Sequence, residues 1–327
     1  MNRIFELLFS ENFISKEQYQ AINEYQKLKL FSIRNGLLFL LYISILLFTS
    51  GVGIIIYKNI DTIGHTILLV LLAALTASCF YFCYKKAQGF SKLEVSFDNP
   101  LYDYLVLFTT ILLCTLIGYF QYNLNIQNSD YSLATLISGI AALGMAYYFD
   151  NKSALIIGVT ALGSFIGLSL KIQTIFENTI FNDNSLLIAG ISFGALLLAW
   201  QWYSEKINLK IHFGFVFLTF ALHLLAISAL AGTSQDGYWF LYPMVLATVL
   251  FYFYQKSISF NAISWYVFVL FYGYIGFNIV LFRIIELLNI YDFFQFLTIL
   301  SPFYVIGCIV LFIKLIKNFK KKTNVSK

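Results

Sequence analysis

Charge is what this chain has least of. Only 11% of its 327 residues are charged, where a soluble domain carries roughly a quarter, so a fold surrounded by water is excluded. The long apolar runs hold no carboxylate in their interiors: every Asp and Glu falls in a connection, in the N-terminal segment or at the end of a run. Buried ionisable groups are the usual mark of proton relays and sodium sites inside membranes. Here the acidic half of that chemistry is missing.

Cysteine, histidine and proline are also few. Cys79, Cys83, Cys114 and Cys308 all lie within apolar runs, which predicts small apolar packing and no disulfide framework. His65, His212 and His223 are expected at three different depths, so no pair suits bis-histidine haem. Cys79 and Cys83 lack the further ligands of a tetrahedral zinc set. There is no nucleophile motif, phosphate-binding glycine loop or zinc-protease helix. The expectation is no catalytic residue, no cofactor and no metal.

What the chain does have is hydrophobic residues, at 60%, and a mean hydropathy of +0.78. They gather in ten runs of about 20 residues, the length that crosses a hydrocarbon core. The runs are Gly36–Tyr57, Gly64–Tyr84, Tyr104–Tyr122, Tyr131–Phe149, Ser153–Leu170, Ser185–Tyr203, Phe213–Ala231, Tyr238–Tyr254, Ala262–Phe282 and Phe294–Ile313. Backbone amides cannot stay unpaired in lipid, which permits helices or closed barrels. These runs are continuously apolar, not alternating, so the fold class is all-α: a polytopic transmembrane bundle of about ten helices. Connections as short as Asp150 to Lys152 make neighbouring helices antiparallel.

The formal charge of +5 points to an anionic membrane surface and not to nucleic acid, because the cations fringe the apolar runs. Alternate connections sort them. Arg3, Lys16, Lys27, Lys29, Arg34, Lys85, Lys86, Lys92, Lys152, Lys206, Lys210, Lys256 and the six lysines from Lys314 to Lys327 fall on one side, 18 of 21; Lys58, Lys171 and Arg283 fall on the other. Cytoplasmic loops carry the excess of cations, so both termini are expected in the cytoplasm. Three segments follow: a cytoplasmic head at 1–34, the bundle at 35–314 and a basic cytoplasmic tail at 315–327. The head lacks the compact apolar core of a secretory signal.

Within the head, Ile4, Leu7 and Leu8 share one helical face, and Ser15 with Gln18 forms a capping-box start for a second helix. The pair is read either as a surface anchor or as a hairpin that meets a cytoplasmic protein partner. The stretch Phe13-Ile14-Ser15-Lys16-Glu17-Gln18-Tyr19-Gln20-Ala21-Ile22, a first run with Gly51 and Gly53, and Asn59-Ile60-Asp61 leading into the second run resemble the bacterial membrane proteins grouped as domain of unknown function 2157. The likeness is clearest over about the first 150 residues. Where that family often has Asn-Trp-Asp, this chain has Ile60 in place of the tryptophan. The resemblance implies a multi-pass protein of the bacterial cytoplasmic membrane, with no activity, cofactor or catalytic residue to carry over.

Inside the runs, His223 and Asn278 are the notable polar residues. His212 precedes His223 by eleven positions, which on one continuous helix sets the two imidazoles on a shared face about 16 Å apart. The three form a candidate intramembrane polar site, for a proton path or a substrate contact. Gly163 with Gly167, and Gly190 with Gly194, are GxxxG pairs that let helices approach closely. Pro243 and Pro302 fall within the eighth and tenth runs as candidate kinks. Seven acidic residues, Asp61, Asp130, Glu177, Asp183, Asp236, Glu286 and Asp292, are expected on the external side as solvated charges. The functional reading is a structural or regulatory membrane component with a partner-binding head. A carrier of an apolar or weakly polar molecule or lipid is the alternative, and a membrane-embedded enzyme is third. Apart from the bilayer, the sequence names no partner or oligomeric state.

Overall fold

The computed structural model describes residues 15, 17–18, 20, 34–58, 64–95, 100–123, 132–170, 184–235, 239–288 and 291–325. Most of the head, including Ile4, Leu7, Leu8 and Tyr19, lies outside the described residues. So do Asp61, Asp130, Lys171, Glu177, Asp183 and Asp236. Two compact units divide the chain, Met1–Ile60 and Asp61–Lys327.

In the first unit, Ser15 and Gln18 close a reciprocal capping box: the Gln18 amide donates to Ser15 Oγ at 3.2 Å and the Ser15 amide to Gln18 Oε1 at 2.9 Å. Two otherwise orphaned N–H groups are thereby satisfied where a helix begins. The unit also holds helix α1, Arg34–Lys58. Its Ser44, Thr49 and Ser50 hydroxyls donate to carbonyls three or four residues back, which keeps their polarity within the helix.

The second unit contains nine further helices: α2 His65–Lys86, α3 Pro100–Asn123, α4 Ser132–Phe149, α5 Lys152–Leu170, α6 Asn184–Lys206, α7 Gly214–Thr233, α8 Leu241–Ser259, α9 Ile263–Leu287 and α10 Tyr291–Val325. A 3-10 turn, Ile211–Phe213, precedes α7. Among the described residues all regular structure is helical, and eight of the ten helices are long and apolar enough to cross a membrane. The chain is a multi-span membrane protein. The apolar stretch of helix α5, Lys152–Leu168, falls just short of that length.

Packing follows chain order. Each helix from α2 to α5 pairs with the next, α6 to α10 do the same, and α5 joins the two sets by touching α6 and α7. Helix α7 is the centre: it meets α5, α6, α8 and α9, and 67% of its span is buried. Small residues allow this. A Cβ on Gly190 or Gly194 of α6 would meet α7 at Ser228 Oγ, or at Leu225 Cγ 2.7 Å away. Gly139 and Gly158 do the same reciprocally for α4 and α5, against Leu162 and Leu143. By contrast, Gly163 has only Phe193 at 3.6 Å and Gly167 faces open space.

Two helix ends differ from the sequence expectation. Helix α8 begins at Leu241, so Pro243 sits in its first turn, where no intrahelical bond is lost and no kink is required. Helix α10 does not stop at residue 314 but runs 35 residues with Pro302 inside it, so the basic tail is its last third. At 1.5 Å per residue this helix is about 52 Å long, well beyond a hydrocarbon core of about 30 Å. Phe319 explains the extension, because its buried ring stacks on Tyr266 near the start of α9 with centroids 4.3 Å apart.

Candidate functional site

Antiparallel packing gathers one set of connections at one end of the second unit: α2–α3, α4–α5, α6–α7 and α8–α9, with the last turns of α10. The Lys210 amide donates to Lys92 O at 2.8 Å, and the Val95 amide donates to Asp150 Oδ2. Lys256 lies 3.9 Å from Glu205. Lys85, Lys86, Lys92, Lys152, Lys206, Lys210, Lys256 and the α10 lysines all belong to this end. Arg283 belongs to the opposite end, beside Glu286 at 3.7 Å, and donates to Ser234 O.

The lysine-rich end is organised around a buried carboxylate. Asp150 terminates α4 in the left-handed conformation, φ 56°, one that Asp tolerates better than most residues. Asn151 then caps α5: its Oδ1 accepts from the Ala154 amide at 2.8 Å, and its Nδ2 donates to Asp103 O at 3.0 Å. This turn aims Asp150 inward, leaving its side chain only 2% exposed. Two cationic or potentially cationic groups approach Oδ1, Lys210 Nζ at 2.9 Å and His212 Nε2 at 2.6 Å, while Oδ2 takes the Val95 amide.

Lys210 is itself left-handed, φ 50°, and begins the 3-10 turn by accepting from the Phe213 amide at 2.8 Å. Its side chain is fully buried, and the rings of Phe90 and Phe213 lie 5.9 and 6.0 Å from the ammonium. A lone buried ammonium is very costly, so the Asp150 carboxylate and the aromatic faces have to compensate it. The cluster therefore ties three connections together. Outside it, Lys152 donates to Glu94 Oε1 at 2.9 Å in an exposed pair. That hydrogen bond holds the Glu94 carboxyl below the usual glutamate range, with burial opposing it.

The three polar residues singled out in the sequence occupy separate settings. His212 lies in the 3-10 turn and not on the continuous α7 helix, and is engaged with Asp150. His223, on α7, shares a hydrogen bond with Tyr272 Oη at 2.7 Å and meets Phe268 in a T-shaped ring contact with centroids 4.5 Å apart. Asn278 donates to Tyr274 O and accepts from Tyr304 Oη at 3.1 Å, linking α9 to α10. Among the described residues, no group of three or more His, Cys, Asp or Glu is placed to hold a metal ion.

Two apolar recesses adjoin the helices. One, of about 430 Å³, lies among α3, α4 and α5 and is bordered by Cys114, Thr135, Ser138, Thr160 and Ser164. The other, of about 310 Å³, runs between α9 and α10 past Phe271, Tyr274, Val305, Ile309 and Ile313.

Residues 6–155 match the family described as Predicted membrane protein (DUF2157). No curated protein and no solved structure matches the chain. The DUF2157 match begins in the head, crosses α1 to α4 and ends at the start of α5, so it includes Asp150 but stops short of Lys210 and His212.

Proposed function

We propose that this chain is a structural or regulatory component of a bacterial cytoplasmic membrane, with residues 1–34 and the end of α10 in the cytoplasm. In this reading the head engages a protein partner, and the lysine-rich end of the bundle is a stiff base. The supporting observation is where the polar chemistry is spent: a buried ion cluster braces three connections at that end. The mid-bundle histidine, in contrast, is half-buried and engaged by Tyr272 and Phe268. Charge sorting supports the orientation, because cytoplasmic connections are enriched in Lys and Arg.

The carrier reading draws on the recess among α3, α4 and α5. The hydroxyls of Thr135 and Ser164 are already bonded to Ser132 O and Thr160 O, which suits a cargo of little polarity. Full-length protein and a variant lacking residues 1–33 should be compared in cells deleted for the gene. If the head acts by recruitment, only the full-length chain restores the deletion phenotype, although both reach the membrane in equal amount. Equal rescue overturns the reading and leaves the carrier ahead. A tag at residue 327 that reacts with impermeant reagent on intact cells overturns the orientation.

A further inference from the structure

The recess between α9 and α10 is an open groove. Phe271 and Tyr274 form one wall, Val305, Ile309 and Ile313 form the other, and all five are between 39% and 54% exposed. Its volume, about 310 Å³, is at the lower end of ligand-binding clefts, roughly 300 to 1,000 Å³. The far end is closed by Tyr274 stacked on Tyr304 with centroids 6.2 Å apart. The other end runs out into charge.

Helix periodicity supplies that charge on the same face. From Ile309 and Ile313, steps of four and three residues lead to Lys317 and Lys320, both exposed, with Lys314 and Lys321 flanking them. Phe319, packed on Tyr266, holds this turn of α10 against α9; Lys320 projects on the same side of the helix as Ile309 and Ile313, and Lys317 lies one step of about 40° further round. An apolar slot that ends in lysines where a helix leaves the hydrocarbon is complementary to one chemical class, a lipid with acyl chains and an anionic headgroup. Basic residues at that depth attract anionic lipid by about 1 kcal/mol each.

We propose that the α9–α10 groove is a binding site for an anionic phospholipid, with one acyl chain along Ile309 and Ile313 and the headgroup phosphate between Lys317 and Lys320. The inference needs only a membrane-spanning bundle and holds whichever side the lysines face. Full-length protein in mixed phosphatidylglycerol and phosphatidylcholine micelles should retain phosphatidylglycerol preferentially in native mass spectrometry. Replacing both lysines, Lys317→Gln with Lys320→Gln, should weaken that retention about twenty-five-fold, at about fivefold for each lysine. Both positions are exposed, and an unchanged unfolding temperature of the double variant separates lost lipid binding from lost folding.

A second arm locates the chain. Phosphatidylglycerol carrying a photoreactive acyl chain should label Phe271, Ile309 and Ile313, and excess soluble glycerol phosphate should not compete. Equal retention of the two lipids, an unaltered preference in the double variant, or labelling spread evenly around the bundle each overturns the site. Competition by glycerol phosphate reduces it to a phosphate contact without a groove. Cross-links from a photoreactive residue at position 309 to a second copy put a partner helix in the groove instead.

Discussion

The lysine-rich end and the middle of the bundle bury polar groups by different means. At the end, a carboxylate, an ammonium and an imidazole meet within 3 Å, and irregular backbone supplies the Val95 amide and the Asn151 cap around them. In the middle, helical amides are committed to their own helix. His223 meets a phenol there, Tyr272 Oη at 2.7 Å. Turns can solvate a buried charge because they have backbone groups to offer; spans have only side chains.

The sharpest way to break this contrast is Asp150→Ala, which leaves Lys210 buried without its counter-charge. Removing one partner of a buried pair costs about 3–5 kcal/mol, so thermal unfolding in detergent should shift strongly downward. Adding Lys210→Met should recover much of the loss. If the double variant is as damaged as the single, the two residues are not coupled.

Packing in the middle gives a smaller effect. Gly194→Ala forces a methyl group onto Leu225 Cγ, 2.7 Å away, and should cost about 1–3 kcal/mol through overpacking, whereas Gly167→Ala, facing open space, should be neutral or slightly stabilising. Parallel unfolding curves check the pair, and equal losses refute the difference in environment.

His223→Phe tests the helical middle directly. Interhelical hydrogen bonds in membranes average about 0.6 kcal/mol, and a decrease of that order in unfolding free energy is expected. A loss as large as that of Asp150→Ala would mean that the middle also depends on a charge.

Smallest is Lys152→Ala. Its pair with Glu94 is more than half exposed, so screening limits it to a few tenths of a kcal/mol, at the low end of about 0–1 for surface pairs. Since Glu94 titrates below its ordinary value of about 4.3, the pair stabilises above that pH and fades as pH falls through the lowered pKa. Wild type and variant should therefore differ slightly at neutral pH and converge in acid. A difference that grows in acid contradicts the assignment.

The spans were legible because lipid demands continuous apolar length, and the Ser15–Gln18 cap because its signal is local. The helical tail was legible in principle: no Gly or Pro occurs after Gly307, and Phe319 keeps the spacing that returns α10 to α9. The ion cluster was not. Asp150 precedes Lys210 and His212 by 60 and 62 residues; Asp150 and Lys210 each alone resemble a solvated charge in a short connection, and His212 reads as a continuation of the His223 face. The left-handed Lys210 carried no glycine to mark its turn.

Composition and charge order by themselves determined that lipid surrounds this chain, that its described regular structure is helical and that most described cations of the second unit gather at one end. These properties depend on solvent and on residues near one another in sequence. Only the tertiary structure decided which helix lies at the centre, which glycines meet a neighbour, and that three connections bury one carboxylate with an ammonium and an imidazole. Burial and pairing depend on distance in space, which a sequence of loop charges does not encode.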